Sequence, residues 1–155
     1  MKTLVLYDTY FGNTEKVAKS IGEAFGEDTQ VLSVKDVSLD QLKGLDYLIV
    51  GSPTRAFKPT KDTTDFLNKL PSGTLSGVKV AAFDTRMDVK KVNNKVLTFM
   101  ESIFGYAAKP IADRLKKKGG SLIAEPEGFI VEDSEGPLRE GEMERAAEWA
   151  KKLLA

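Results

Sequence analysis

Short apolar runs rich in Val, Leu, Ile and aromatic residues recur at Thr3–Tyr7, Thr29–Val34, Leu45–Val50, Val78–Phe83 and Ser121–Ala124. Runs of that length and composition predict five strands. Between them the period lengthens. Val17, Ala18, Ile21, Ala24 and Phe25 fall on one helical face, and Gly26 follows where a C-cap belongs. Thr63, Phe66, Leu67 and Leu70 repeat the pattern until Pro71 stops it. The last helix has a stripe of Met143, Ala146, Ala147, Ala150, Leu153 and Leu154, with Lys151 and Lys152 in its final turn. Trp149 flanks that stripe and is expected in the core. A further helix is predicted from about Ala107 to Lys118, and a weaker crossover over Ser38–Lys43.

Strands alternating with helices imply an α/β fold: a parallel sheet with right-handed crossovers and helices on both faces. In such sheets ligands bind beyond the carboxyl ends of the strands, where the strand order reverses. That directs attention to the loops after the first, third and fourth strands. A chain of 155 residues with 41% hydrophobic content is the size of one domain, taken as 1–155. Neither a repeat nor a linker interrupts it. The segment Asp84–Gly105 and the Gly-, Pro- and Glu-rich segment Glu125–Gly141 read as ordered surface excursions.

Composition narrows the chemistry. The 23 basic and 23 acidic side chains cancel, so no global field draws in nucleic acid or an anionic membrane. There is no cysteine and no histidine, which removes disulfides, thiolate nucleophiles, ordinary zinc sites and any imidazole base. The first residues lack the apolar run of a signal sequence, and no stretch is long enough to cross a bilayer. A soluble, cytoplasmic protein, monomer or weak dimer, is expected.

The most informative loop is Asp8-Thr9-Tyr10-Phe11-Gly12-Asn13-Thr14-Glu15, where the first strand gives way to the first helix. The hydroxyls of Thr9 and Thr14, the Asn13 amide and several backbone N–H groups can converge there on one anion. Gly12 permits a close approach, and the helix N-terminus contributes up to about 2 kcal/mol. On these residues alone, simple helix capping by Thr14 or Asn13 explains the loop equally well. Neither a G-x-x-x-x-G-K-[ST] loop nor a G-x-G-x-x-G follows the first strand. The third strand ends in Gly51-Ser52-Pro53-Thr54, where a phosphoacceptor receiver domain would carry an aspartate.

The chain resembles the short-chain flavodoxin family in three segments. Thr9–Thr14 with Glu15 is similar to that family's [ST]-x-[TF]-G-N-T phosphate loop. Val50–Thr54 is similar to its third-strand exit, and Phe83-Asp84-Thr85-Arg86 follows the fourth strand. The resemblance implies a three-layer sandwich with a five-stranded sheet in the order 2-1-3-4-5, and FMN as cofactor. It puts the phosphate on Thr9, Tyr10, Gly12, Asn13 and Thr14, with Phe11 in the same loop. The isoalloxazine would lie between the loop Thr54-Arg55-Ala56-Phe57 and the loop Asp84-Thr85-Arg86-Met87, with Pro53 also among the cofactor-binding residues.

The same comparison exposes departures. Asp84–Asn94 has no aromatic residue to stack on a flavin, which leaves Phe57 as the stacking candidate. Ala56 sits near a position where the family often has a glycine, and positive φ suits Ala less well. The chain is neutral overall but uneven, with 9 basic and 4 acidic residues in 84–118 against 4 and 9 in 119–155. Lys116-Lys117-Lys118 reads as a solvated helix end. Arg55, Lys58 and Arg86 fall in the flavin loops, where one cation about 6 Å from developing charge is worth at most about 3 kcal/mol. The resemblance implies electron transfer between redox partner proteins, a reductase and an acceptor, with no catalytic side chain and no metal. The alternative is an FMN-dependent NAD(P)H:acceptor oxidoreductase of quinone type; a flavodoxin-like module without cofactor is disfavoured by the intact loop.

Overall fold

Central strand β1 (Thr3–Tyr7) alternates its side chains between two apolar layers, as the two-residue period of a strand requires. Leu4 and Leu6 belong to one core and Val5 to the other, all almost fully buried. A computed structural model of the chain describes residues 1–88, 95–96, 99 and 105–155. After β1 come α1 (Asn13–Phe25), β2 (Thr29–Ser33), a 3₁₀ turn at Leu39–Leu42, β3 (Tyr47–Pro53) and α2 (Lys61–Lys69). Then follow β4 (Lys79–Met87), α3 (Ala108–Lys117), β5 (Ser121–Leu122), β6 (Glu127–Val131) and α4 (Glu142–Leu154).

Among the described residues every strand pair is parallel, and the order is β2-β1-β3-β4-β5, as expected for the family resembled. α1 and α4 cover one face, where Val17, Ile21, Ala146 and Ala150 pack on Val5, Ile49 and Phe83. α2 and α3 cover the other, where Leu67, Ile111 and Leu115 pack on Leu4, Leu48 and Val80. Trp149 is core, meeting Phe83 and Phe129 edge-on at 6.3 and 6.0 Å. The weak second crossover contains a 3₁₀ turn, closed by a reciprocal Ser38–Gln41 capping box.

Two expectations are corrected. Asp84–Met87 is the end of β4 rather than a loop, because β3 on one side and β6 on the other supply its backbone partners. Part of the excursion Glu125–Gly141 is β6, parallel to β4. Val80 stands opposite Leu122 and Phe83 opposite Glu127, so the edge advances two residues more than β4 does. β5 and β6 therefore form one edge strand broken by a bulge. Of the excursion Asp84–Gly105, residues 89–94, 97–98 and 100–104 lie outside the described residues.

Candidate functional site

The carboxyl ends of β1, β3 and β4 surround a cleft of about 320 Å³. Its walls are Thr9–Phe11 with Asn13 and Thr14, Pro53–Ala56, Thr85–Met87, and Val131 with Ser134. β1 and β3 are neighbours across the reversal of strand order, which is why their exits diverge and leave space. Of the residues expected to contact the cofactor, all but Gly12, Phe57 and Asp84 line this cleft, and Lys58, expected to add charge beside it, does not line it.

Gly12 acts through its backbone. It caps α1 at φ 90°, a left-handed conformation that favours glycine, and among the described residues no side chain caps the helix. Nothing lies within 4 Å of where its Cβ would be, so the requirement is conformational rather than spatial. Thr9 Oγ accepts a hydrogen bond from Gly12 N at 2.8 Å, which leaves its own hydroxyl hydrogen to donate. Thr14 Oγ lies 2.8 Å from Thr85 Oγ, joining this loop to β4. Asn13 has a different task from the one its sequence position suggests: its Nδ2 donates to Glu135 O at 3.1 Å. Glu15, in the first turn, is paired with Lys19 at 3.0 Å, and that hydrogen bond holds its carboxyl below the usual range.

Beneath the loop is a network that sequence reading missed. Asp8 is buried; its carboxylate accepts Thr9 N at 2.9 Å and Thr60 Oγ1 at 2.6 Å. Thr60 is also the N-cap of α2, and its N–H donates to Ser52 Oγ. The exits of β1 and β3 are thus fastened together. The available signal was the acid immediately before the loop, whose partner 52 residues on gives no local cue.

The β3 exit is a tight hairpin. Arg55 N donates to Lys58 O and Lys58 N to Arg55 O, while Ala56 and Phe57 between them both have positive φ, 49° and 65°. That is type I′ geometry, which favours Asn and Gly, and side chains larger than glycine are strained in it. Phe57 is not among the residues that line the cleft and meets Tyr106 at 6.4 Å. The aromatic rings on the cleft are instead Tyr10 and Phe11, about half exposed, with the Arg55 guanidinium 5.1 and 5.9 Å from their centroids. Neither Arg55 nor Lys58 forms an ion pair among the described residues.

Asp84 and Arg86 lie two apart on β4 and so share a side of the strand. Arg86 Nε and Nη2 donate to the two Asp84 oxygens at 2.7 and 2.8 Å, and Ala108 N adds a third bond at 2.9 Å. The carboxylate is wholly buried, and burial pushes its pKa up against the opposing pull of Arg86 and the Ala108 N–H. Tyr106 covers the guanidinium at 3.7 Å, and Gly128 lies so close that a Cβ there would overlap it. Asp84 is therefore a support beneath the cleft wall. Arg86 reaches the cleft already neutralised, which corrects the expectation that it adds positive field.

Chemically the cleft offers a helix start without a side-chain cap among the described residues and two hydroxyls at one end, and aromatic and aliphatic surface with Arg55, which forms no ion pair among those residues, on its wall. A planar molecule bearing one anionic group fits this division. Among the described residues, no group of His, Cys, Asp or Glu could hold a metal ion, and no helix is long and apolar enough to cross a membrane.

A family model described as a flavodoxin domain matches residues 4–124. Flavodoxin of Aquifex aeolicus is 29% identical, covering 96% of this chain and 86% of that protein. A Nostoc flavodoxin is 27% identical over 88% of this chain and 77% of its own length. Among solved structures, oxidised flavodoxin 2 of Bacillus cereus has a TM-score of 0.75 at 22% identity, covering 99% of this chain and 98% of that one. A flavodoxin from the domain Archaea has a TM-score of 0.73 at 23% identity, with 100% of both chains covered.

Proposed function

The chain belongs to the flavodoxin family, whose cofactor is FMN, and from that premise we propose that it carries single electrons between protein partners through FMN held in the cleft of β1, β3 and β4. The observation that carries this reading is the start of α1, which faces the cleft without a side-chain cap between the hydroxyls of Thr9 and Thr14. Those groups hold the phosphate. Tyr10, Phe11, Ala56 and Met87 pack on the body of the cofactor, and Thr54, Thr85 and Arg86 border it. FMN supplies the redox chemistry when bound; the protein sets its access and its electrostatic surroundings. Arg55 on the cleft wall and its hairpin neighbour Lys58, which form no ion pair among the described residues, favour added negative charge in the cleft, whereas Arg86, already bonded to Asp84, contributes little.

A turnover enzyme using NAD(P)H would draw on the same three cations to hold a nicotinamide phosphate. With Arg86 committed to Asp84, that reading loses one of them. Titration of flavin-stripped protein with FMN and riboflavin, followed by flavin fluorescence, tests the cofactor site. Saturable one-to-one binding is expected, with FMN at least about a hundredfold tighter, as several charge-assisted hydrogen bonds to a phosphate require. Equal affinity for the two flavins removes the phosphate cradle. Steady NAD(P)H oxidation by the isolated loaded protein would replace the carrier with the reductase.

A further inference from the structure

The turn after β6 reaches across the start of α1. Asn13 Nδ2 donates to Glu135 O, and the two residues are 122 apart in sequence. The contact is close: a Cβ on Gly136, whose φ is 110°, would stand 2.7 Å from Asn13 Nδ2 and 2.8 Å from Oδ1. Only glycine lets the turn lie against the amide at that distance. The turn is held from its own side as well. Gly136 N donates to Asp133 O, Glu132 N to Pro137 O, and Arg139 N to Ile130 O. Its tip therefore has a defined position, and Ser134 lies on the cleft beside Thr9, Asn13 and Thr14.

Two acids of this turn have partners within it. Asp133 Oδ1 accepts Ser134 N at 2.7 Å, and Glu132 pairs with Arg139 at 3.2 Å. Glu135 is bonded to Asn13 through its carbonyl. The residue of the tip that lines the cleft is Ser134, which carries a small hydroxyl.

We propose that this turn is a fourth wall of the phosphate site and that Ser134 Oγ donates a hydrogen bond to the FMN phosphate, a role that rests on the cofactor reading above. Asn13 serves as the staple that positions the turn. A phosphate monoester has three terminal oxygens, so donors from α1, Thr9 and Thr14 on one side leave an oxygen for a donor on the other.

The test compares wild type, Ser134→Ala and Ser134→Thr as flavin-stripped proteins titrated with FMN and with riboflavin. Ser134→Ala should weaken FMN about tenfold and leave riboflavin unchanged, as loss of one partly exposed bond to a charged group predicts. Ser134→Thr, which keeps the hydroxyl, should restore FMN affinity. Unchanged FMN affinity in Ser134→Ala overturns the proposal. So does equal weakening of both flavins, which would make the turn a support for the fold alone. If wild type fails to prefer FMN over riboflavin, the phosphate cradle itself falls, and the role of Ser134 with it.

Discussion

Replacing Arg86 with Met asks whether the guanidinium is there to satisfy Asp84. The carboxylate has no exposure and three hydrogen bonds, two of them from Arg86. Methionine retains much of the aliphatic volume but leaves a buried carboxylate with one backbone donor. Breaking a buried pair from one side costs about 3–5 kcal/mol. Asp84→Asn should cost less, about 1–3 kcal/mol, because the amide keeps an acceptor and Arg86, 21% exposed and stacked on Tyr106, still reaches water. The orphaned carboxyl in Arg86→Met has one escape, which is to take a proton. Burial already raises this pKa above 3.8 in the intact protein, and without the opposing guanidinium it rises further. The variant's deficit is therefore smallest below the wild-type folded pKa and grows as pH rises from there towards the variant's, by up to about 1.4 kcal/mol per unit. Urea unfolding of wild type, both single variants and the double variant, at about pH 5 and about pH 8, measures all of this. The double variant should be more stable than Arg86→Met alone. An Arg86→Met cost under about 1 kcal/mol, or one equal at the two pH values, would refute the reasoning.

Two further outcomes follow from particular residues. Ala56→Gly should stabilise the protein by about 0.5–1 kcal/mol, since left-handed backbone costs Ala about 1–2 kcal/mol and the greater freedom of unfolded glycine returns part of it; a lowered urea midpoint would contradict this. Glu142 accepts Ile130 N at 2.7 Å and pairs with Arg145. Burial pushes its pKa up, but Arg145 and the Ile130 N–H outweigh that and hold it below the ordinary 4.5. Its stabilisation is present above pH 4.5 and lost as pH falls through the folded value, so the stability gap between wild type and Glu142→Gln should close in acid. A gap that stays constant down to about pH 3 would mean that the ionised carboxylate is not what Glu142 contributes.

Much of the architecture was legible because it rests on periodicity. The continuous apolar run of Thr3–Tyr7, buried on both faces of its strand, and the helical stripe of Met143–Leu154 each specify an element, although on that helix Glu142 and Trp149 are buried and Met143 is exposed. What escaped depends on partners distant in sequence. Asp84-Thr85-Arg86 reads as a polar loop because burying the acid requires both its neighbour on the strand and the backbone of Ala108. β6 was hidden by Glu127 and Gly128, whose environment is set by Arg145 and Arg86. Within the cleft, the hydroxyl and glycine positions of the first loop were legible from helix-start chemistry. The left-handed Ala56 and Phe57 were not, since neither residue type prefers that conformation. Ser134 could be found only once Asn13 was seen to hold its turn.

The broken edge strand also governs what the molecule does in company. A long, straight edge offers a row of free N–H and C=O groups on which another chain can add. Here the edge begins with a two-residue strand, kinks at the bulge before β6, and ends where the returning chain bonds its outer side through Val131 and Leu138, Pro137 O and Arg139 N. An intruding strand would find its register shifted midway and its last partners taken. The two extra residues that let β6 support Arg86 thereby make this border of the sheet a poor template for self-association.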